Sequence, residues 1–300
     1  MSEHPTRPNA QGVSHALLAY GIWGFAPVYW KVTAAFPARE LLAYRVLASF
    51  TVALLLVAGM RAWRDVWAVL RVPRAAAAVA VSALLIAINW LVFIHAVQTD
   101  RILATSLGYY INPLVNVLLG MVVLRERLNR PQGIAVALAA TGVLFQTWQL
   151  GELPWISLVL AGSFGFYGFV RKTAPAPPLA GFCLETAMLS PVAFAALLWL
   201  AARGESEVPA AGVGAGLLVA GSGLLTAAPL LAFASAAKRL PLSTLGLFQY
   251  LAPTITFGLA VVFYGELFTL AHMVSFGSVW LALVLVMWDS LQQSRSGLGA

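Results

Sequence analysis

Charge is what this chain has least of. Only 10% of its 300 residues are Asp, Glu, Lys or Arg, and 61% are apolar. A soluble domain carries about 25% charged residues. A water-exposed fold this poor in charge would present large apolar patches and associate; a fold surrounded by lipid would not. Acidic residues are the scarcer sign, eleven against eighteen basic. The one cysteine, Cys183, excludes an internal disulfide framework and a cysteine-rich metal site. There is no phosphate-binding loop, dinucleotide fingerprint, His/Cys metal spacing or nucleophile elbow. These absences argue against an enzyme, a cofactor, a metal or ATP-driven work by this chain alone. The net charge of +7 lies in short segments between apolar runs, so it points to membrane orientation and not to nucleic acid.

Long apolar runs fill the chain instead. A membrane-spanning helix needs about 20 mostly apolar residues. Ten segments qualify: 13–32, 40–60, 74–97, 101–124, 132–149, 154–171, 179–202, 211–236, 241–264 and 270–289. Continuous apolarity over such lengths predicts an all-α membrane protein and not a barrel. The first run lacks a small-residue cleavage signal and reads as a span, not a removed leader. With the N-terminus inside, thirteen Lys and Arg fall in inner segments and four (Lys31, Arg39, Arg101, Arg203) in outer ones. That bias predicts two cytoplasmic tails, 1–12 and 290–300.

The chain also repeats itself. Shifted by 140 positions, Ser82-Ala83-Leu84-Leu85 lies over Ser222-Gly223-Leu224-Leu225, and Phe93 over Phe233. In the same register Tyr110 meets Tyr250, Pro113 meets Pro253 and Glu126 meets Glu266. Five spans per half, 13–149 and 154–289, make the second half enter from the opposite side. Inverted repeats of this kind place a binding site between the halves.

Polar groups inside spans cost several kcal/mol unless paired or facing a wet cavity, so each is a candidate. Arg45 lies in the second span after Glu40. Its guanidinium cannot escape by deprotonation. It must snorkel outward, pair with Glu40 or another group, or hold an anionic part of a substrate. Glu185, in the seventh span, is either partnered by a loop cation such as Arg171 or Lys172, or exchanges protons during transport. Glu40 and Glu185 correspond between the halves if the register slips from 140 to 145. Glu126 and Glu266 end the fourth and ninth spans, as helix-end ties or alternating latches. Asn89-Trp90 in the third span, Tyr109, Tyr110 and Asn112 in the fourth, and Gln249 and Tyr250 in the ninth are the most polar mid-membrane stretches. Pro113 and Pro253 kink these helices and free carbonyls. With Trp23 and Tyr167 they predict a pocket of aromatic walls and few polar fixtures; interhelical packing is the alternative.

Asn89-Trp90-Leu91, the run Ser106 to Pro113 (SLGYYINP), Leu124 to Leu128 (LRERL) and the ninth-span FQYLAPT carry a resemblance. So do WGFAPVYWK at Trp23 to Lys31, Glu40 with Arg45, YGFVRK at Tyr167 to Lys172, and Glu185. Through nearly its whole length the chain resembles the RarD branch of the EamA family, in the drug/metabolite transporter superfamily. Where that branch usually has histidine before the arginine, this chain has Tyr44. The resemblance implies ten spans as two inverted five-helix repeats, in the bacterial inner membrane. It also implies export or exchange of small metabolites or drugs.

The expected function is therefore secondary transport of small organic solutes by alternating access, with protons as the candidate coupling ion. Substrate contacts fall to Trp23, Asn89, Trp90, Tyr109, Tyr110, Asn112, Gln249 and Tyr250. Gating or coupling falls to Glu40, Arg45, Glu185, Glu126 and Glu266. The expected partners are a small-molecule substrate and the lipid bilayer, with no obligate protein. An uncoupled channel or uniporter, and a membrane sensor that binds without transport, are the alternatives.

Overall fold

The computed structural model describes residues 10–99, 102–150 and 155–263, and positions 277, 280, 281, 284 and 285 near the C-terminus. Glu266, most of the expected tenth span and the C-terminal tail lie outside the described residues. Those described form an all-helical bundle of eleven helices: α1 (Ala10–Val32), α2 (Ala38–Gly59), α3 (Trp63–Arg71), α4 (Pro73–Gln98), α5 (Ile102–Val122), α6 (Arg130–Leu150), α7 (Trp155–Thr173), α8 (Pro178–Ala202), α9 (Val213–Arg239), α10 (Leu242–Phe248) and α11 (Leu251–Val262).

The internal repeat reappears in where helices start and stop. Ala38 and Pro178, Pro73 and Val213, and Ile102 and Leu242 open helices 140 residues apart, and Val122 and Val262 close α5 and α11 at the same interval. Prolines set two of these starts in the same way. Pro37 and Pro177 sit just before α2 and α8 with φ −57° and −58° and extended ψ. Proline's fixed φ suits a helix entrance, where its missing N–H costs no intrahelical bond. This common start holds α2 and α8 in the 140 register. Arg45 is therefore the counterpart of Glu185, and the slip to 145 expected from sequence is not needed.

Packing follows the same two-fold. α2 lies on α8, and α5 on α10. α1 packs on α9 as α7 packs on α4, and α1 on α11 as α7 on α5. Close approach is tight where α10 crosses α5: a methyl on Gly246 would come within 2.7 Å of the Pro113 carbonyl oxygen. The centre is aromatic. Trp23 packs against Tyr20, Phe164 and Phe233 with ring centroids 5.6–5.8 Å apart, and Tyr167 stacks on Phe233 at 6.0 Å.

Four described helices are long and apolar enough to cross a membrane by length and composition: 38–59, 73–96, 178–202 and 213–239. The ninth expected span falls short for a physical reason. It breaks at Gln249 and Tyr250 into α10 and α11, 7 and 12 residues long. Pro253 cannot donate to the Gln249 carbonyl, so the ladder is interrupted there. Laid end to end the two pieces still reach about 30 Å. α3 was not expected. Val66 and Val69 are buried, whereas Trp63, Trp67 and Leu70 are exposed beside Arg64 and Arg71. That pattern suits a helix lying at a lipid headgroup boundary.

Candidate functional site

Polar side chains gather in three places: one cluster toward each end of the bundle, and a chain between them. Arg45 and Glu185 stand seven residues into α2 and α8, so each lies about 10 Å from its helix start.

At the Arg45 cluster, α1, α2, α4 and α9 converge. The guanidinium lies over the Trp30 ring at 5.2 Å and the Trp90 ring at 4.7 Å. Its Nε donates to Thr226 Oγ1 at 2.7 Å. Both indoles supply the negative face that a cation seeks, an attraction that strengthens away from water. Arg45 does not pair with Glu40. The Tyr109 hydroxyl is within electrostatic range of the guanidinium. Tyr109 is 48% exposed. Arg45 is half-buried beside it.

The Glu185 cluster is closed. Glu185 and Arg171 pair at 3.3 Å with side chains 3% and 1% exposed. Ser82 Oγ donates to Glu185 Oε1 at 2.5 Å, and the Tyr167 hydroxyl to Oε2 at 3.3 Å. Arg171 Nη2 donates to the Pro178 carbonyl at 2.9 Å. A methyl on Gly181 would overlap the guanidinium, so only glycine admits Arg171 here. At the same end Lys172 reaches the carbonyls of Ala237 and Leu240, while Lys238 reaches that of Ala174. Each lysine thus satisfies orphan carbonyls at the C-terminus of the other's helix, where the dipole favours a cation.

Between the clusters, Asn116 Nδ2 donates to Gln249 Oε1 at 2.9 Å and approaches Asn112 Oδ1 at 3.4 Å. All three side chains are buried, and the chain ends at the break between α10 and α11. Asn89 Nδ2 donates to the Leu160 carbonyl and to Ser163 Oγ, tying α4 to α7. Tyr110 and Tyr250 are buried against one another at 6.3 Å, and Trp23 sits in the aromatic centre.

Two further carboxylates act on backbone. Glu40, fully buried, accepts from Ser206 Oγ and from the N–H groups of Glu207 and Val208, at 2.8–3.2 Å. Glu126 accepts from the N–H groups of Leu242 and Ser243 and from Ser243 Oγ, at 2.7–2.9 Å. It thus satisfies donors that open α10. Beyond α8, Glu205 joins Arg39 at 2.6 Å and Arg203 at 2.8 Å. The hydrogen bond from Arg203 holds its carboxyl below the usual range.

Of the expected residues, the structure brings Arg45, Trp90 and Tyr109 together, and Asn112 with Gln249. It places Trp23, Asn89, Tyr110 and Tyr250 in packing contacts. Trp30, Thr226, Ser82 and Asn116 were not singled out from sequence. Asn116 carried a signal, since it stands one helical turn after Asn112.

Apolar helices around a polar interior make this a multi-pass membrane protein, and its relatives make it a transporter. A family model described as the EamA-like transporter family matches residues 10–148. Protein RarD of Escherichia coli is 46% identical over 285 residues, covering 95% of this chain and 96% of that one. An uncharacterized transporter of Vibrio cholerae is 44% identical over 286 residues, 95% of each. A protein of Pseudomonas aeruginosa named chloramphenicol-sensitive protein RarD is 33% identical, covering 97% of this chain and all of that one. A solved crystal structure shares the fold at TM-score 0.70 and 19% identity, over 93% of this chain and 98% of its own. The chain belongs to the EamA-like transporter family, of the drug/metabolite transporter superfamily.

Proposed function

We propose that this chain is a secondary transporter of small organic solutes, working by alternating access between the halves 13–149 and 154–289. The proposed setting is the bacterial inner membrane, with both termini cytoplasmic. The observation that carries the reading is the contrast between the two clusters. Tyr109 is exposed and Arg45 half-buried, whereas Glu185 and Arg171 are sealed. An accessible cluster at one end and a sealed ion pair at the other fit one state of a two-state cycle. Rocking the halves would loosen the Glu185 tie and close the aromatic box. A solute drives that change only if it binds one state better than the other.

One observation favours uncoupled transport over proton coupling. Glu40, Glu126 and Glu185 each already hold several donors. The test is flux in proteoliposomes for a panel of aromatic amino acids and chloramphenicol, the last suggested by a relative's name. It is run with and without an imposed pH gradient. Flux through protein-containing vesicles, absent from empty ones, supports transport. Equal flux under both conditions supports uniport, and gradient-dependent flux supports coupling. Binding without flux of any panel member would replace the transporter reading with a sensor.

A further inference from the structure

We infer that the Arg45 box is an anion-recognition site, and that its occupant is the carboxylate of a small solute carrying an aromatic ring. The inference rests on the reading of the bundle interior as a solute path. It deepens that reading by naming a substrate class.

The argument begins with charge balance across the two-fold. Arg45 and Glu185 occupy matching positions in α2 and α8. Their neighbours on the preceding helices also match: Trp30 lies two residues before the end of α1, and Arg171 two before the end of α7. In the second half the pair is carboxylate and guanidinium, neutral as a unit. In the first half it is guanidinium and indole, and the positive charge stays uncompensated. Among the described residues no carboxylate pairs with Arg45. A guanidinium within a membrane span is costly unless a counter-charge or a water-filled space meets it.

Geometry then says what completes it. Two indoles lie against the guanidinium and Nε is committed to Thr226. The edge bearing the two terminal nitrogens makes no hydrogen bond among the described residues. That edge matches a carboxylate in the bidentate arrangement that gives arginine its specificity over lysine. Trp30 and Trp90 flank the guanidinium, and the exposed Tyr109 lies within electrostatic range of it. A ring carried by the same solute would lie on those walls while its carboxylate meets the fork.

The experiment uses the full chain in nanodiscs of phosphatidylcholine. The probes are phenylacetate, 3-phenylpropionate and indole-3-acetate, each against its neutral amide. Binding is read by titration calorimetry. Modification of Arg45 by phenylglyoxal is read by peptide mass spectrometry in the wild-type chain. At least one carboxylate should bind about 10- to 100-fold more tightly than its amide, the span expected of a charged hydrogen-bonded pair. The same carboxylate should protect Arg45 from modification, and its amide should not. Arg45→Gln should abolish the preference. Arg45→Lys should keep charge but lose the fork, and so retain only part of it. The wild-type protection assay decides the matter if either variant fails to fold. Equal binding of acid and amide, or no protection by any carboxylate, overturns the inference while leaving transport of neutral solutes intact. Protection produced by phosphatidylglycerol in the disc, without added solute, also overturns it and assigns the site to a lipid headgroup. Carboxylate binding without vesicle flux keeps the inference and sinks the transporter reading.

Discussion

Tyr250 donates its hydroxyl to the main-chain carbonyl of Tyr110, its own counterpart across the internal repeat, at 3.1 Å. The two rings are tilted at 46° and both side chains are buried. The bond joins α5 to the chain just before α11. Tyr250→Phe keeps the ring and loses the bond, and should cost about 1 kcal/mol. Tyr250→Ala leaves a cavity and should cost about 3–5 kcal/mol. Thermal unfolding in detergent compares the two. A larger effect of the Phe variant on solute binding than on stability would place Tyr250 on the solute path instead.

Removing one partner of the Glu185–Arg171 pair should be the most damaging single change at the closed end. Glu185→Gln strands a buried guanidinium, at a cost of about 3–5 kcal/mol. The double variant Glu185→Leu, Arg171→Met removes both charges and should be more stable than either single one. Gly181→Ala should mimic the loss without touching a charge, because its methyl occupies the guanidinium's place. The check is a double-mutant cycle on thermal stability. Additive losses would mean the pair is not coupled.

Glu126 reaches α10 over Gly120, whose added methyl would sit 2.5 Å from Glu126 Oε2. Gly120→Ala should therefore loosen the start of α10 as Glu126→Gln does. Both should raise amide hydrogen exchange at Leu242 and Ser243, leaving α2 and α8 protected. Unchanged exchange there would count against Glu126 as the tie.

The Arg39–Glu205–Arg203 tie has a stated pH dependence. Its carboxyl is depressed by Arg203 hydrogen bonding first, with the nearby Arg39 adding to it. A depressed folded-state value means the contribution is present above the ordinary carboxylate value and is lost as pH falls through the lower one. Wild type and Glu205→Gln should therefore converge in stability only below the range in which an ordinary glutamate titrates. Convergence already at mildly acidic pH would show that the tie does not form. Because the pair is exposed, the difference should also shrink with added salt.

The repeat was readable because Tyr110/Tyr250 and Pro113/Pro253 keep their interval, and the structure returns that interval at helix ends. The Arg45 environment was less readable. Glu40 looked like a partner because it is near in sequence, but five residues on a helix place side chains about 140° apart around the axis. Glu40 faces the 206–208 segment instead, and Arg45 meets residues 15 back and 45 and 181 ahead. Such distant partners leave no local pattern. α3 escaped notice because nine residues bracketed by Arg64 and Arg71 read as a loop until the segment packs on α4 and α8 and buries Val66 and Val69. At Gln249 the sequence offers the kink of Pro253, but not the division of the span into two separate helices.

The matched helix starts at Pro37 and Pro177 make the two halves similar in shape but not exchangeable. A pair built from two second halves would carry two self-neutral ion pairs. A pair built from two first halves would carry two arginines, each backed by tryptophan, and so a doubled charge within the lipid. The first half depends on an unlike neighbour, which supplies Thr226 to Arg45. Joining the halves in one chain guarantees that neighbour at every assembly.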